Sequence, residues 1–247
     1  MSEQATFWEH LDELRNVIIR SLIVIIAAAV IAFCLKDWLF TIVLAPRSGD
    51  FVSYQLLGID DDFELSLMNI GLTEQFMTHM RIALYAGLLL ASPYVLYQLF
   101  SFIAPGLYQN ERQAATWIAV SAYLMFIAGT LVDYLLIFPL TVRFLGTYQV
   151  SPDVANMLTL QSYIDTLIGM SFVMGVVFEL PVVSAILGKL GIINGKLMSE
   201  YRRHAVVAIL IASAIITPTT DAFTLLVVAL PIWLLYEVSI LIVKLNK

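Results

Sequence analysis

VIIRSLIVIIAAAVIAFCLKDWLF, from Val17 to Phe40, is apolar along nearly its whole length. It carries Arg20 near one end and Lys36 and Asp37 near the other. A helix needs about 20 apolar residues to cross about 30 Å of hydrocarbon. This stretch has them, and it is the first of six. The others fall near residues 80–103, 114–138, 161–188, 205–217 and 223–243. The pattern predicts an all-α polytopic membrane protein with six transmembrane helices. Residues 1–247 then form a single membrane domain, with a cytoplasmic amphipathic segment at 1–16 and an outer loop at 41–79.

The composition agrees. Sixty per cent of the residues are hydrophobic and 13% are charged, where a soluble domain has about a quarter charged. Mean hydropathy is +0.89. The fifth span is short. Ala205 to Thr217 precedes Pro218, and thirteen residues at about 1.5 Å each reach only about 20 Å. The sixth carries Pro231, so the C-terminal pair is expected to sit in thinned lipid or to face a cavity. The alternative for that pair is one re-entrant hairpin.

Lysine and arginine set the orientation. An even number of spans puts both termini on one side. That side holds Arg15, Arg20, Arg112, Lys189, Lys196, Arg202, Arg203, Lys244 and Lys247, and the other holds Lys36, Arg47, Arg81 and Arg143. Nine against four places both termini in the cytoplasm. Trp38 and Trp117 lie near span ends, where an interfacial belt is expected.

The net charge of -6 argues against nucleic acid as a partner, since that surface calls for basic residues. Cys34 is the single cysteine, so an intrachain disulfide is excluded. His10, His79 and His204 show no metal-ligand spacing. Phosphate-loop and nucleophile-elbow motifs are missing. The sequence therefore predicts no enzyme, no metal and no cofactor.

Four places remain as candidates. Phe7, Leu11, Leu14 and Ile18 form one helical stripe, and Glu9, Asp12 and Glu13 lie off it. Such a carboxylate face either is simply solvated or binds a cation at the membrane surface. Pro105 and Gly106 end the second span, and Glu111 with Arg112 opens the third helix, where the dipole favours an acid. Glu179, in Phe178-Glu179-Leu180-Pro181, is a lone acid inside an apolar span. Such residues normally face a wet cavity and have a function. Asp133 and Glu237 sit within two turns of a span end, from where they are expected to snorkel. Asp221 follows Thr217-Pro218 and is placed to cap the sixth helix.

In order along the chain, His10-Leu-Asp-Glu13-Leu-Arg15, the segment from Phe102 through Pro105 and Tyr108 to Glu111-Arg112, Phe178-Glu179-Leu-Pro181, and Thr217-Pro218 with Asp221 resemble the TatC family. That family forms the core of the twin-arginine translocase. The resemblance implies a cup-shaped, six-helix protein with both termini inside and short fifth and sixth helices. It implies a receptor for twin-arginine signal peptides, in the bacterial cytoplasmic membrane, that exports folded precursor proteins. The proton-motive force drives that export. The implied partners are TatA and/or TatB, membrane lipid and further copies of the chain.

By the same resemblance, Glu13 and Glu111 are the carboxylates that read the arginine pair. Arg15, Phe102, Pro105, Tyr108 and Arg112 surround them. Glu179 is the acid of the concave face, and Pro46 and Asp221 are the functional residues of the outer loops. The chain departs from the family pattern at Asn16, Val17, Gln113 and Leu225. Two rival readings are a secondary transporter using Glu179 as its ion site, and a structural assembly scaffold.

Overall fold

A computed structural model describes residues 7–59, 63–103, 112–149, 151, 156–217 and 221–245. These residues are predominantly helical. Five helical stretches are long and apolar enough to cross a membrane: His10–Cys34, Glu74–Phe102, Thr116–Thr147, Leu160–Lys189 and Ala222–Leu245. The fifth expected span is helix α10, Arg202–Ile216. Its 15 residues extend about 22 Å, less than the hydrocarbon thickness. Only this helix of the C-terminal pair is short. Helix α11, Ala222–Leu245, runs for 24 residues with Pro231 inside it.

The chain divides into two compact units, Met1–Lys36 with His79–Leu124, and Asp37–Thr78 with Met125–Lys247. In the first unit, α1 (Phe7–Cys34) lies against α4 (Glu74–Ile103). A Cβ on Gly87 would fall 2.5 Å from the backbone nitrogen of Ala29. Glycine is therefore what lets these two helices approach so closely. Further along, Phe33 stacks on His79 with ring centroids 4.0 Å apart.

The second unit contains the connection between the first two long helices, expected from the sequence to be the outer loop, and the C-terminal helices. The loop comprises α2 (Lys36–Leu44), a tight 3₁₀ turn Ala45–Arg47, α3 (Val52–Leu56) and the two-residue strand β1 (Leu67–Met68). Strand β1 pairs in parallel with β2 (Leu158–Thr159), Leu67 opposite Leu158. Helix α5 (Arg112–Val132) passes through a π turn, Asp133–Ile137, into α6 (Phe138–Thr147). Then follow α7 (Leu160–Val177), α8 (Leu180–Lys189) and α9 (Gly195–Glu200). Ile137, Met170, Met174, Phe178, Val228, Ile232 and Leu235 form the buried apolar cluster of this unit. Gly129 packs so tightly on α7 that a Cβ there would meet the Met174 carbonyl at 2.5 Å.

Prolines explain how the outer loop is fixed. Pro139 has no N–H for the Leu135 carbonyl four residues earlier, so a straight helix would leave that oxygen bare. The Ser53 hydroxyl, from α3, donates to it. Pro46 likewise has nothing to give the Ile42 carbonyl, and the Tyr134 hydroxyl donates there at 2.6 Å. Tyr163 donates to the next carbonyl, Val43, at 3.0 Å. The Tyr54 hydroxyl lies 3.0 Å from the Pro46 carbonyl and 2.9 Å from that of Pro139. Tyr54 is fully buried. Burial pushes its hydroxyl up to about 12, against the opposing pull of the Arg143 guanidinium, so it keeps the proton it donates. The guanidinium carbon sits 5.5 Å from the Tyr54 ring centroid and 5.6 Å from that of Phe63. At the far end of the loop, the buried Glu74 carboxylate accepts from the backbone N–H groups of Ile70, Gly71 and Gln161 at 3.1, 2.9 and 3.0 Å.

Tyr54→Phe keeps the ring and removes the hydroxyl, leaving a buried carbonyl without its donor. It is expected to destabilise the chain by about 1–3 kcal/mol, read as a lower midpoint in detergent-titrated unfolding. An unchanged midpoint would show that the hydroxyl holds nothing in place.

Candidate functional site

Glu13 lies on the N-terminal turns of α1 and is exposed. Its Oε2 is 3.8 Å from His10 Nδ1, with both side chains more than half exposed. His10 in turn stacks on Phe102, near the end of α4, with ring centroids 4.4 Å apart and planes inclined by 21°. Three of the expected elements therefore meet within the first unit: the acidic face of α1, its histidine and the aromatic ring before the Pro105 segment. Arg15 points at Asp12 across 4.0 Å, also in the open. Exposed pairs at such distances contribute little. The Glu13 carboxylate is thus available at small cost to a stronger partner, and a fork of guanidinium donors is such a partner.

Pro105, Tyr108 and Glu111 lie outside the described residues. Arg112 begins α5.

Glu179 has a clear local origin. Pro181 cannot donate to the Val177 carbonyl and would clash with it in a continuous helix. The helix accordingly breaks between α7 and α8, with Glu179 at the joint. The Glu179 N–H reaches the Val176 carbonyl at 3.1 Å, and the Val183 N–H reaches the Glu179 carbonyl at 2.9 Å. Glu179 is half-buried, and neither carboxyl oxygen has a hydrogen-bond partner among the described residues. Both oxygens are buried, and a buried carboxyl in this condition requires a physical account.

The outer-loop residues have structural tasks. Pro46 is buried in the 3₁₀ turn, where its carbonyl meets Tyr54. Asp221 caps α11: its Oδ1 accepts from the Thr224 N–H at 2.7 Å. That is the capping role the sequence suggested. Glu237 does not simply reach for water, because the Arg202 guanidinium donates to its Oε2 at 2.6 Å and joins α10 to α11.

Asp133 is the residue that sequence reasoning placed wrongly. It is fully buried, so it does not snorkel. The physical reason is that the apolar helix does not stop near residue 138. It continues through Pro139 to Thr147, which carries Asp133 inward. A span-end proline followed by more apolar helix was the available signal.

The side chains described hold no cluster of three or more metal-ligating residues. Comparison with known proteins gives a consistent result. Residues 9–231 match the family model described as Sec-independent protein translocase protein (TatC). A Sec-independent protein translocase protein TatC of Carboxydothermus hydrogenoformans is 36% identical over 98% of this chain and 94% of its own length. That of Deinococcus radiodurans is 34% identical over 96% and 85%. A crystal structure described as the twin arginine translocase receptor TatC in DDM superposes with a TM-score of 0.79, at 31% identity, covering 97% of this chain and all of that one.

The contact between His10 and Phe102 is open to a direct test. In a double-mutant cycle, His10→Ala and Phe102→Ala should show a coupling of about 0.5–1.5 kcal/mol in unfolding of the first unit. Additive effects would make the stack incidental.

Proposed function

Since the chain belongs to the TatC family, and is thereby a multi-pass component of the Sec-independent (Tat) protein translocase, we propose that it is the receptor for twin-arginine signal peptides in that translocase. The observation that supports this most is the exposed Glu13 carboxylate, held beside Phe102 through His10 and, among the described residues, bound by nothing stronger than a 3.8 Å exposed contact. Glu111 is the second carboxylate of the proposed site, and Arg15, Pro105, Tyr108 and Arg112 complete it. Two adjacent guanidinium groups engage two carboxylates by paired hydrogen bonds, a geometry that lysine does not match. Each charge-assisted bond is worth about 1.5–3 kcal/mol.

On this reading both termini lie in the cytoplasm and the protein sits in the bacterial cytoplasmic membrane. It exports folded precursors, driven by the proton-motive force and without ATP. It works with TatA and/or TatB and with further copies of itself. Glu179 is the intramembrane acid used during export, in keeping with its buried carboxyl group at the α7–α8 joint, which has no hydrogen-bond partner among the described residues.

A labelled twin-arginine signal peptide should bind the full chain in nanodiscs about tenfold to a hundredfold more tightly than its twin-lysine counterpart. Glu13→Ala or Glu111→Ala should each abolish that preference. Equal binding of the two peptides by a folded wild-type chain, with TatA or TatB present or absent, would refute the receptor reading.

A further inference from the structure

The π turn Asp133–Ile137 interrupts a helix that is otherwise apolar and long enough to span. Its first residue is fully buried, and neither oxygen of the Asp133 carboxyl has a hydrogen-bond partner among the described residues. A buried polar group left in this condition requires a physical account. π turns inside helices are often found at functional sites.

Among the described residues, the Asp133 carboxyl has no ion pair or hydrogen bond to a positive group. The elements packed against the π turn include α3, α6, α7 and α11. Each brings ionisable side chains, and most of these have other contacts. Tyr54 of α3 lies against the Pro46 and Pro139 carbonyls. Arg143 of α6 covers the Tyr54 and Phe63 rings. On α7, Tyr163 donates to Val43, and Asp165 accepts from Gln161 at 3.4 Å. On α11, Glu237 is held by Arg202, while Lys244 lies in the last turn at the far end of the helix. Tyr134, in the π turn itself, donates to Ile42. A bare carboxylate in such surroundings is strongly disfavoured, and binding a proton removes the charge.

We propose that Asp133 is an intramembrane proton-binding site, a carboxyl that releases and regains one proton during export. On release the carboxyl O–H bond breaks and the proton passes to water admitted as the π turn opens. The carboxylate left behind takes up a proton before the turn closes. The turn is suited to opening, because its backbone bonding is already irregular, with the Phe138 N–H on the Asp133 carbonyl, and the hydroxyls of Ser53 and Tyr134 add bonds that depend on the outer loop. Glu179 lies at a different joint, so the chain would hold two acids of distinct access. The proposal rests on the reading of the protein as a proton-driven translocase.

Two measurements test it. Infrared spectroscopy of the full chain in nanodiscs, with isotope-labelled aspartate, should show one protonated aspartate at neutral pH. That signal should exchange slowly in heavy water and vanish in Asp133→Asn. If every aspartate is ionised, or exchanges as fast as exposed groups do, the proposal fails. In reconstituted export, Asp133→Asn should retain twin-arginine peptide binding and lose at least about tenfold in rate, while Asp133→Glu restores much of it. Export at the wild-type rate by Asp133→Asn would also overturn it. Loss of arginine preference in the wild-type chain would defeat the receptor reading instead, and leaves the infrared result standing.

Discussion

Inside an apolar environment every backbone carbonyl without a partner is costly, and proline creates such carbonyls wherever it enters a helix. That constraint organises the larger unit of this protein. Pro46 and Pro139 each withhold a donor, and hydroxyl groups from distant parts of the chain take their place. Tyr134 serves Ile42, Ser53 serves Leu135, and Tyr54 lies between Pro46 and Pro139. The outer loop is therefore not a loose connection. Its short helix α3 completes the hydrogen bonding of a spanning segment, and the spanning segments complete the loop. Arg143 over the Tyr54 and Phe63 rings closes the arrangement.

The same residue type also disposes the charged groups. Pro181 breaks the fourth long apolar stretch and leaves Glu179 at the joint, half-buried and without a hydrogen-bond partner among the described residues. Pro139 goes with the π turn in which Asp133 is enclosed. Glu13, in the first unit, is exposed on the N-terminal turns of α1, 3.8 Å from His10. Three carboxylates thus occupy three environments: one in the open, one at a break in a helix and one sealed in a turn. Their chemistry differs because their surroundings differ.

Much of this was legible in the sequence, and for physical reasons. Twenty-residue apolar runs have few alternatives to spanning helices. Thr217 before Pro218 fixed the shortness of α10, and Asp221 three residues before Thr224 marked a cap. Glu179 beside Pro181 was conspicuous as a lone acid in an apolar run. Asp133 was not, because Pro139 reads locally as a terminator, while the helix continues past it with the Leu135 carbonyl satisfied from Ser53. That bond joins residues 82 apart in sequence, and no local pattern announces it. The tyrosine bonds to Ile42 and Val43 were hidden for the same reason, since aromatic residues near a span end look like interfacial anchors. The stack of His10 on Phe102 likewise depends on how α1 meets α4, and there the small Gly87 sets the approach.

The exchange of hydroxyl donors across the chain also bears on how the protein is made. Synthesis runs from the N-terminus, so Ile42 and Val43 emerge long before Tyr134 and Tyr163. Their carbonyls have no tyrosine partner while the first helices are inserted, and until then water at the membrane surface is their available donor. Ser53 is in the opposite position, since it waits for the Leu135 carbonyl, while Tyr54 has the Pro46 carbonyl from the start and gains that of Pro139 later. The outer loop must therefore stay hydrated and unlocked through early biogenesis. It sets only when the third and fourth long helices are in place, which makes loop closure a late, concerted event rather than a local one.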